Sequence, residues 1–118
     1  MRTRQSGFTL IEVLIVITVI AILAAIVIPN LLLMIQRAKQ KRGMAELRGM
    51  ATATSAYETD TNFAPLGDGS WHDSNTVITL GTLSPFYITV LPNPDPWNDQ
   101  YQYAATASGG DYGFRSRR

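Results

Sequence analysis

The most pronounced pattern in the chain is a nearly unbroken apolar run from Phe8 to Ile28. Thr9, Glu12 and Thr18 are its only polar residues. At 1.5 Å per residue, a helix of these 21 residues is about 30 Å long, which matches the hydrocarbon core of a bilayer. A core helix of a soluble domain would carry a polar stripe, and this run has none. The pattern therefore predicts a helix that crosses a membrane.

Helical spacing continues beyond the apolar run. Pro29 interrupts the run, Leu31–Ile35 resumes it briefly, and a basic stretch follows. The next residues form an amphipathic pattern that should end near Asp60–Asn62. The expected buried face of this part consists of Leu47, Met50, Ala51, Thr54 and Tyr57. Because a proline removes one helical hydrogen bond, Ala24–Ile28 is the part of the helix expected to lose regularity first.

The C-terminal residues alternate in a way that predicts a β-hairpin. Gln100–Thr106 and Asp111–Ser116 flank the turn sequence Ser108-Gly109-Gly110. The aromatic residues available to one face are Tyr101, Tyr103, Tyr112 and Phe114. Residues 66–96 predict irregular structure with one short strand or turn, around Thr76–Leu80 or Tyr87–Leu91. A helix followed by strands predicts an α+β fold, in which the distal half of the long helix packs on a small antiparallel sheet.

Composition argues against several kinds of functional site. The 118 residues include no cysteine, which removes disulfides, thiolate metal sites and cysteine nucleophiles. The net charge of +1 does not favour nucleic acid as a partner. His72 is the only histidine and is expected to be exposed in a polar loop. Glu46, Glu58 and Asp60 are expected to be solvated acids of the helix. We therefore expect no enzyme activity, no catalytic residue, no metal site and no cofactor.

The order of the N-terminal segments differs from that of a secretory signal, in which the cleavage site follows a shorter apolar stretch. Here the small-residue junction Ser6-Gly7-Phe8 precedes the apolar run. Cleavage after Gly7 would remove only the basic residues 1–7 and leave the membrane helix on the mature chain.

Glu12 places an acid in the first part of this helix. A carboxylate at membrane depth costs about 2.5–3.5 kcal/mol or more, so it should have a partner or a function. One alternative is that Glu12 lies near the interface and reaches water. The favoured alternative requires the cut after Gly7, which would create an amine at Phe8 of every subunit. Opposite charges attract strongly in hydrocarbon, so Glu12 and a neighbour's amine would fix the axial register between subunits.

The N-terminal segment resembles a known family. Gly7–Val16, with the sequence GFTLIEVLIV, resembles the signature of type IV pilins and type II secretion pseudopilins, and the likeness continues through Ala21–Ile26 to Pro29. The resemblance implies a pilin-like fold, cleavage after Gly7 by the prepilin peptidase, and N-methylation of Phe8. It also implies that Glu12 registers one subunit on the next, and that the helix bends or partly melts before Pro29 in the filament.

The same resemblance implies a division of the chain and a set of partners. Residues 1–7 are the leader, 8–35 the transmembrane and assembly helix, and 36–118 a small periplasmic or extracellular α+β domain. The subunit would lie in the inner membrane as a single-pass protein before assembly into a helical homopolymer. Its other partners would be the prepilin peptidase and an inner-membrane assembly platform, and no nucleic acid is required.

A second likeness lies near the C-terminus. Leu91–Tyr103, with the sequence LPNPDPWNDQYQY, is similar to the Leu-Pro-x-Asp-Pro-Trp-Gly-x-x-Tyr-x-Tyr segment of major pseudopilins. Asn98 replaces the usual glycine, and asparagine is the residue next most tolerant of a positive φ. The chain stops where major pseudopilins continue into a calcium-binding loop, so no calcium site is carried over. The three aspartates that could supply oxygen ligands are Asp95, Asp99 and Asp111, and a role in turns is favoured for them.

The favoured function is a structural subunit of a type II secretion pseudopilus. The alternative is a subunit of a surface type IV pilus for adhesion, motility or DNA uptake. A signal-anchored binding module that does not polymerise would leave Glu12 unexplained, and a soluble hydrolase lacks a nucleophile–base pair. Charge disagrees with the expected topology, because two arginines precede the apolar helix and four cations follow it. Those four cations are Arg37, Lys39, Lys41 and Arg42, which could contact anionic lipid or acids of a neighbour.

Overall fold

The computed structural model describes residues 7–65, 67–74 and 82–117. Helix α1 spans Leu10–Thr61 and is followed by three strands, β1 (His72–Asp73), β2 (Gln102–Ala105) and β3 (Tyr112–Arg115). The strands form one antiparallel sheet in the order β1-β2-β3. The predicted α+β class, with a long N-terminal helix and a small antiparallel sheet, is confirmed. The chain forms two compact units, one ending at Arg37 and one beginning at Ala38.

The first unit contains the apolar part of α1. Among the described residues, α1 is the one helix long and apolar enough to cross a membrane, judged by length and composition. Its large apolar side chains are exposed in the single chain, from Phe8 at 80% to Ile35 at 43%. Pro29 lies inside the helix, and Ala24–Ile28 before it is helical. The loss of regularity expected there does not occur in the single chain.

In the second unit, one face of α1 packs against the rest of the domain. Met50 and Thr54 are fully buried, and Leu47 and Tyr57 are half-buried, so the predicted apolar face is confirmed. Met50 forms the centre of the core with Leu91 and Tyr101. These three side chains come from segments that are far apart in sequence, so their packing holds those segments against α1.

The C-terminal end of α1 lies where the sequence predicts, and it is capped. The helix ends at Thr61, and Asn62 adopts a φ of 64°. The Asn62 N–H donates a 2.7 Å hydrogen bond to the carbonyl of Glu58. A residue in the left-handed conformation satisfies an otherwise free carbonyl and turns the chain away from the helix.

The predicted hairpin is confirmed. Residues 102–105 pair with residues 112–115, with Tyr103 opposite Phe114. Gly109 in the turn has a φ of 67°, a conformation that favours glycine. The rings of Tyr103 and Phe114 lie 5.0 Å apart and those of Tyr112 and Phe114 6.3 Å apart, so the aromatic residues share a face.

The segment before the hairpin was harder to predict. His72 was expected in an exposed loop, but it lies in β1 opposite Tyr103, and its ring is 41% exposed and hydrogen-bonded to Asp68 at 2.9 Å. One of the two places suggested for a short strand or turn, Thr76–Leu80, lies outside the described residues. The other, Tyr87–Leu91, begins as a turn in which the N–H of Tyr87 donates to the carbonyl of Leu83.

Two glycines provide a matched test of this packing. A Cβ on Gly67 would lie 2.9 Å from the backbone nitrogen of Ala105, whereas a Cβ on Gly49 would meet nothing within 4 Å. We expect Gly67→Ala to lower the free energy of unfolding by about 1–3 kcal/mol through overpacking. Gly49→Ala should raise it by about 0.5–1 kcal/mol, because alanine favours a helix.

The measurement is urea unfolding of the detergent-solubilised chain, followed by the fluorescence of Trp71 and Trp97, both in the second unit. A Gly67→Ala protein as stable as the unmodified chain would contradict the close approach to Ala105.

Candidate processing and assembly site

The predicted cleavage junction lies just before α1. Gly7, Phe8 and Thr9 precede the first helical residue, Leu10, and have no regular secondary structure. Phe8 is 80% exposed, and a Cβ on Gly7 would meet nothing within 4 Å. The Gly7–Phe8 peptide bond is therefore accessible, and α1 would remain complete if the bond were cut.

Glu12 and Thr9 form a reciprocal cap at the start of α1. The backbone N–H and the hydroxyl of Thr9 both donate to Oε2 of Glu12, each at 3.0 Å. The N–H of Glu12 lies 3.4 Å from the Thr9 hydroxyl oxygen. This arrangement is a capping box, in which a threonine and a glutamate three residues later satisfy free N–H groups of the first turn. Sequence reasoning missed Thr9, although the spacing Thr-x-x-Glu is the signal for this motif.

The cap has a consequence for the carboxylate. Within the described residues, Oε2 of Glu12 carries the hydrogen bonds, which leaves Oε1 for a further donor. The helix N-terminus also favours a negative charge, because its free N–H groups carry partial positive charge. Glu12 is thus held at the start of α1 by its hydrogen bonds to Thr9.

Pro29 is not part of this cluster. It follows Glu12 by 17 residues in α1, which corresponds to about 26 Å along the helix axis. The structure therefore brings Gly7, Phe8 and Glu12 together at the start of the helix and places Pro29 well away from them.

Asp95 organises a turn in the second unit. Its side chain is 3% exposed, and Oδ1 accepts hydrogen bonds from the N–H groups of Trp97 at 3.0 Å and Asp99 at 2.7 Å. Oδ2 accepts a 2.5 Å hydrogen bond from the hydroxyl of Ser116. Asn98 in the same turn has a φ of 69°, as its replacement of a glycine predicts.

These contacts bear on the aspartates named as candidate oxygen ligands. Both carboxylate oxygens of Asp95 are occupied by protein donors, as a role in a turn requires. In the described part of the chain, no group of three or more His, Cys, Asp or Glu residues could hold a metal ion. Asp95, Asp99 and Asp111 are thus not gathered into one such group.

The expectation that Glu46 is a solvated acid is wrong. Its side chain is only 17% exposed, and Oε2 accepts a 2.6 Å hydrogen bond from the hydroxyl of the fully buried Tyr101. Oε1 forms a 2.7 Å ion pair with Arg42. Burial, and then the hydrogen bond to Glu46, raise the pKa of Tyr101 well above its usual range. Glu46 therefore joins α1 to the residue that precedes β2.

The other two acids differ from each other. Asp60 is exposed, as expected, and accepts a 2.9 Å hydrogen bond from the hydroxyl of Tyr87. Glu58 is half-buried, like Glu46, which differs from the solvated position expected for it.

Comparison with known proteins assigns a family motif to the N-terminal segment. Residues 2–28 match the family model of the prokaryotic N-terminal methylation motif. Over nearly the whole chain, three type II secretion system core proteins G are similar to it. The protein of Vibrio cholerae is 34% identical over 91% of this chain and 75% of its own length. The proteins of Aeromonas hydrophila and Pseudomonas aeruginosa are each 32% identical, over 92% and 98% of this chain and 79% and 84% of their own lengths.

The chain belongs to the core protein G family of type II secretion.

This membership confirms the resemblance inferred from Gly7–Val16 and extends it through the C-terminal domain. The methylation motif includes the Gly7–Phe8 junction, Thr9 and Glu12, and ends one residue before Pro29. The core protein G relatives also favour a type II secretion protein over a subunit of a surface pilus. No solved structure matches the chain significantly.

Proposed function

We propose that this chain is a structural subunit of a type II secretion pseudopilus and polymerises through the N-terminal part of α1. The observation that carries the proposal is the junction Gly7–Phe8 directly before a helix that begins with the Thr9–Glu12 cap and lies in a methylation motif. The core protein G relatives, which are similar to this chain over nearly its whole length, support the same assignment.

The processing step supplies the charge that assembly requires. Prepilin peptidase cuts after Gly7 and methylates the new amine of Phe8, which remains positively charged. In the filament this amine pairs with Glu12 of a neighbouring subunit. A buried ion pair is favourable only when its geometry is good, so subunits with the wrong axial register are disfavoured. Thr9 provides hydrogen bonds to Glu12 in the unassembled chain, where no neighbour is present.

The remaining features of the chain fit this role. The apolar part of α1 holds the unassembled subunit in the inner membrane, and the domain after residue 36 lies in the periplasm. In the inner membrane, the subunit is delivered to an assembly platform. The subunit acts by assembly, without enzymatic chemistry of its own.

Intact-mass measurement of the mature protein tests the processing step. We expect the loss of residues 1–7 and the gain of one methyl group. A mature chain that begins after Ala24 or Ala25 would instead indicate ordinary secretion and would contradict the proposal.

The variant Gly7→Val should remain uncut, because the side chain adds bulk at the bond. Gly49→Val is the matched control, since Gly49 faces open space far along the same helix. This control should be cut and methylated normally.

A further inference from the structure

Four cations follow the apolar part of α1 within six residues. They are Arg37, Lys39, Lys41 and Arg42, and the apolar segment ends at Ile35. The chain has no acid between Glu12 and Glu46, so the nearest carboxylate in sequence lies beyond the cluster. Four of the ten basic residues of a chain with a net charge of +1 are therefore concentrated at one point.

Among the described residues, one of these cations, Arg42, has a partner. Arg42 pairs with Glu46 at 2.7 Å. In the part of the chain that the structure describes, Arg37, Lys39 and Lys41 form no hydrogen bond or ion pair. Arg37 and Lys41 are exposed and Lys39 is half-buried. Within the described residues, three positive charges thus remain without a paired carboxylate along little more than one turn of the helix.

Lys39 and Lys41 lie on nearly opposite sides of the helix. At 100° per residue, they are about 160° apart around the axis. A protein partner would meet a helix on one face and would favour charges arranged in a stripe. A helix that crosses the headgroup layer of a bilayer meets phosphates on every side. The angular distribution therefore favours lipid over a protein surface.

The position of the cluster agrees with the dimensions of a bilayer. Arg37 follows Glu12 by 25 residues in α1, or about 38 Å along the axis. A bilayer measures about 40–45 Å including its headgroups, so a helix with Glu12 near one interface places Arg37 near the opposite one. Lysine and arginine have long apolar stems that allow their charged ends to reach phosphates from the edge of the hydrocarbon region.

We propose that Arg37, Lys39 and Lys41 bind the phosphodiesters of anionic phospholipids and hold the unassembled subunit at a fixed depth in the membrane. The inference rests on the proposed membrane insertion of α1, but it does not require a filament. Clusters of Lys and Arg next to a membrane segment contribute about 1 kcal/mol per cation at an anionic surface, which corresponds to about five-fold in binding per charge. Leaving the membrane for the filament would require the subunit to give up this binding.

The test supplies the full chain in detergent with equal amounts of phosphatidylglycerol and phosphatidylcholine. Native mass spectrometry then measures how much of each lipid the chain retains. The unmodified chain should retain phosphatidylglycerol in preference to phosphatidylcholine. The double variant K39Q/K41Q should lose about 25-fold of that preference, at five-fold for each cation. The double variant R48Q/R117Q removes the same charge from exposed positions outside the cluster and should keep the preference.

Three outcomes would overturn the inference. Equal retention of both lipids by the unmodified chain would show that the cluster does not recognise anionic lipid. An equal loss in both double variants would show a general effect of net charge. An unchanged preference in K39Q/K41Q with loss of its filaments would assign the cluster to acids of a neighbouring subunit.

An unmodified chain that prefers phosphatidylglycerol yet never forms filaments would refute the pseudopilus role and support the lipid contact.

Discussion

Glu12→Ala is expected to abolish filaments while the precursor still accumulates in the membrane. Without the carboxylate, the Phe8 amine of each neighbouring subunit would lie in hydrocarbon without a counter-charge. Removing one partner of a buried ion pair costs about 3–5 kcal/mol, and the cost recurs at every joint of the polymer. The isolated subunit loses only the cap formed with Thr9, worth about 1 kcal/mol, and its more apolar helix inserts more easily.

The capping box allows the two roles of Glu12 to be separated. Glu12→Gln can still accept the hydrogen bonds of Thr9, because glutamine serves in a capping box as glutamate does. It cannot supply the negative charge. If assembly requires the ion pair, Glu12→Gln should form few or no filaments. If assembly requires only the cap, Glu12→Gln should form filaments normally.

Electron microscopy of sheared filaments, beside an immunoblot of the membrane fraction, measures both quantities. Glu58→Ala is a control that removes a carboxylate from the second unit and should form filaments. Normal filaments from Glu12→Ala would leave Glu12 as an interfacial residue without a role in register.

The parts of the fold that were predictable have strong local signals. The apolar run and the amphipathic spacing after it determine α1, and alternation around Ser108-Gly109-Gly110 determines the hairpin. The positive φ of Asn98 followed from its place in a turn that normally needs glycine. In each case the residues that carry the signal are neighbours in sequence, so the conformation could be inferred without the tertiary structure.

The features that were missed depend on residues far apart in the chain. Glu46 is half-buried and accepts a hydrogen bond from Tyr101, 55 residues later, and nothing in the local pattern around Glu46 indicates this contact. β1 has only two residues, too few to show alternation, and it exists because β2 offers a free edge. The Thr9–Glu12 cap is an exception among the missed features, because the local spacing Thr-x-x-Glu is sufficient to predict it.

The distribution of exposed apolar side chains leads to the last prediction. Of the 25 large hydrophobic residues that are exposed among those described, twenty lie between Phe8 and Ile35. The five in the second unit are Met44, Phe63, Trp71, Phe86 and Val90. These five are dispersed along the sequence and come from different segments, whereas a stable subunit interface requires a large contiguous apolar surface.

A fragment of residues 36–118 should therefore be soluble and monomeric, with complete loss of filament formation and of insertion into the membrane. Its core of Met50, Leu91 and Tyr101 and its link between Glu46 and Tyr101 lie wholly within the fragment. Size-exclusion chromatography with light scattering should give the mass of one chain, and circular dichroism should show that the helix persists. The full chain in parallel provides the control for assembly. Stable polymers of the fragment under dilute conditions would show that the domain carries an assembly surface of its own and that residues 8–35 are not the source of polymerisation.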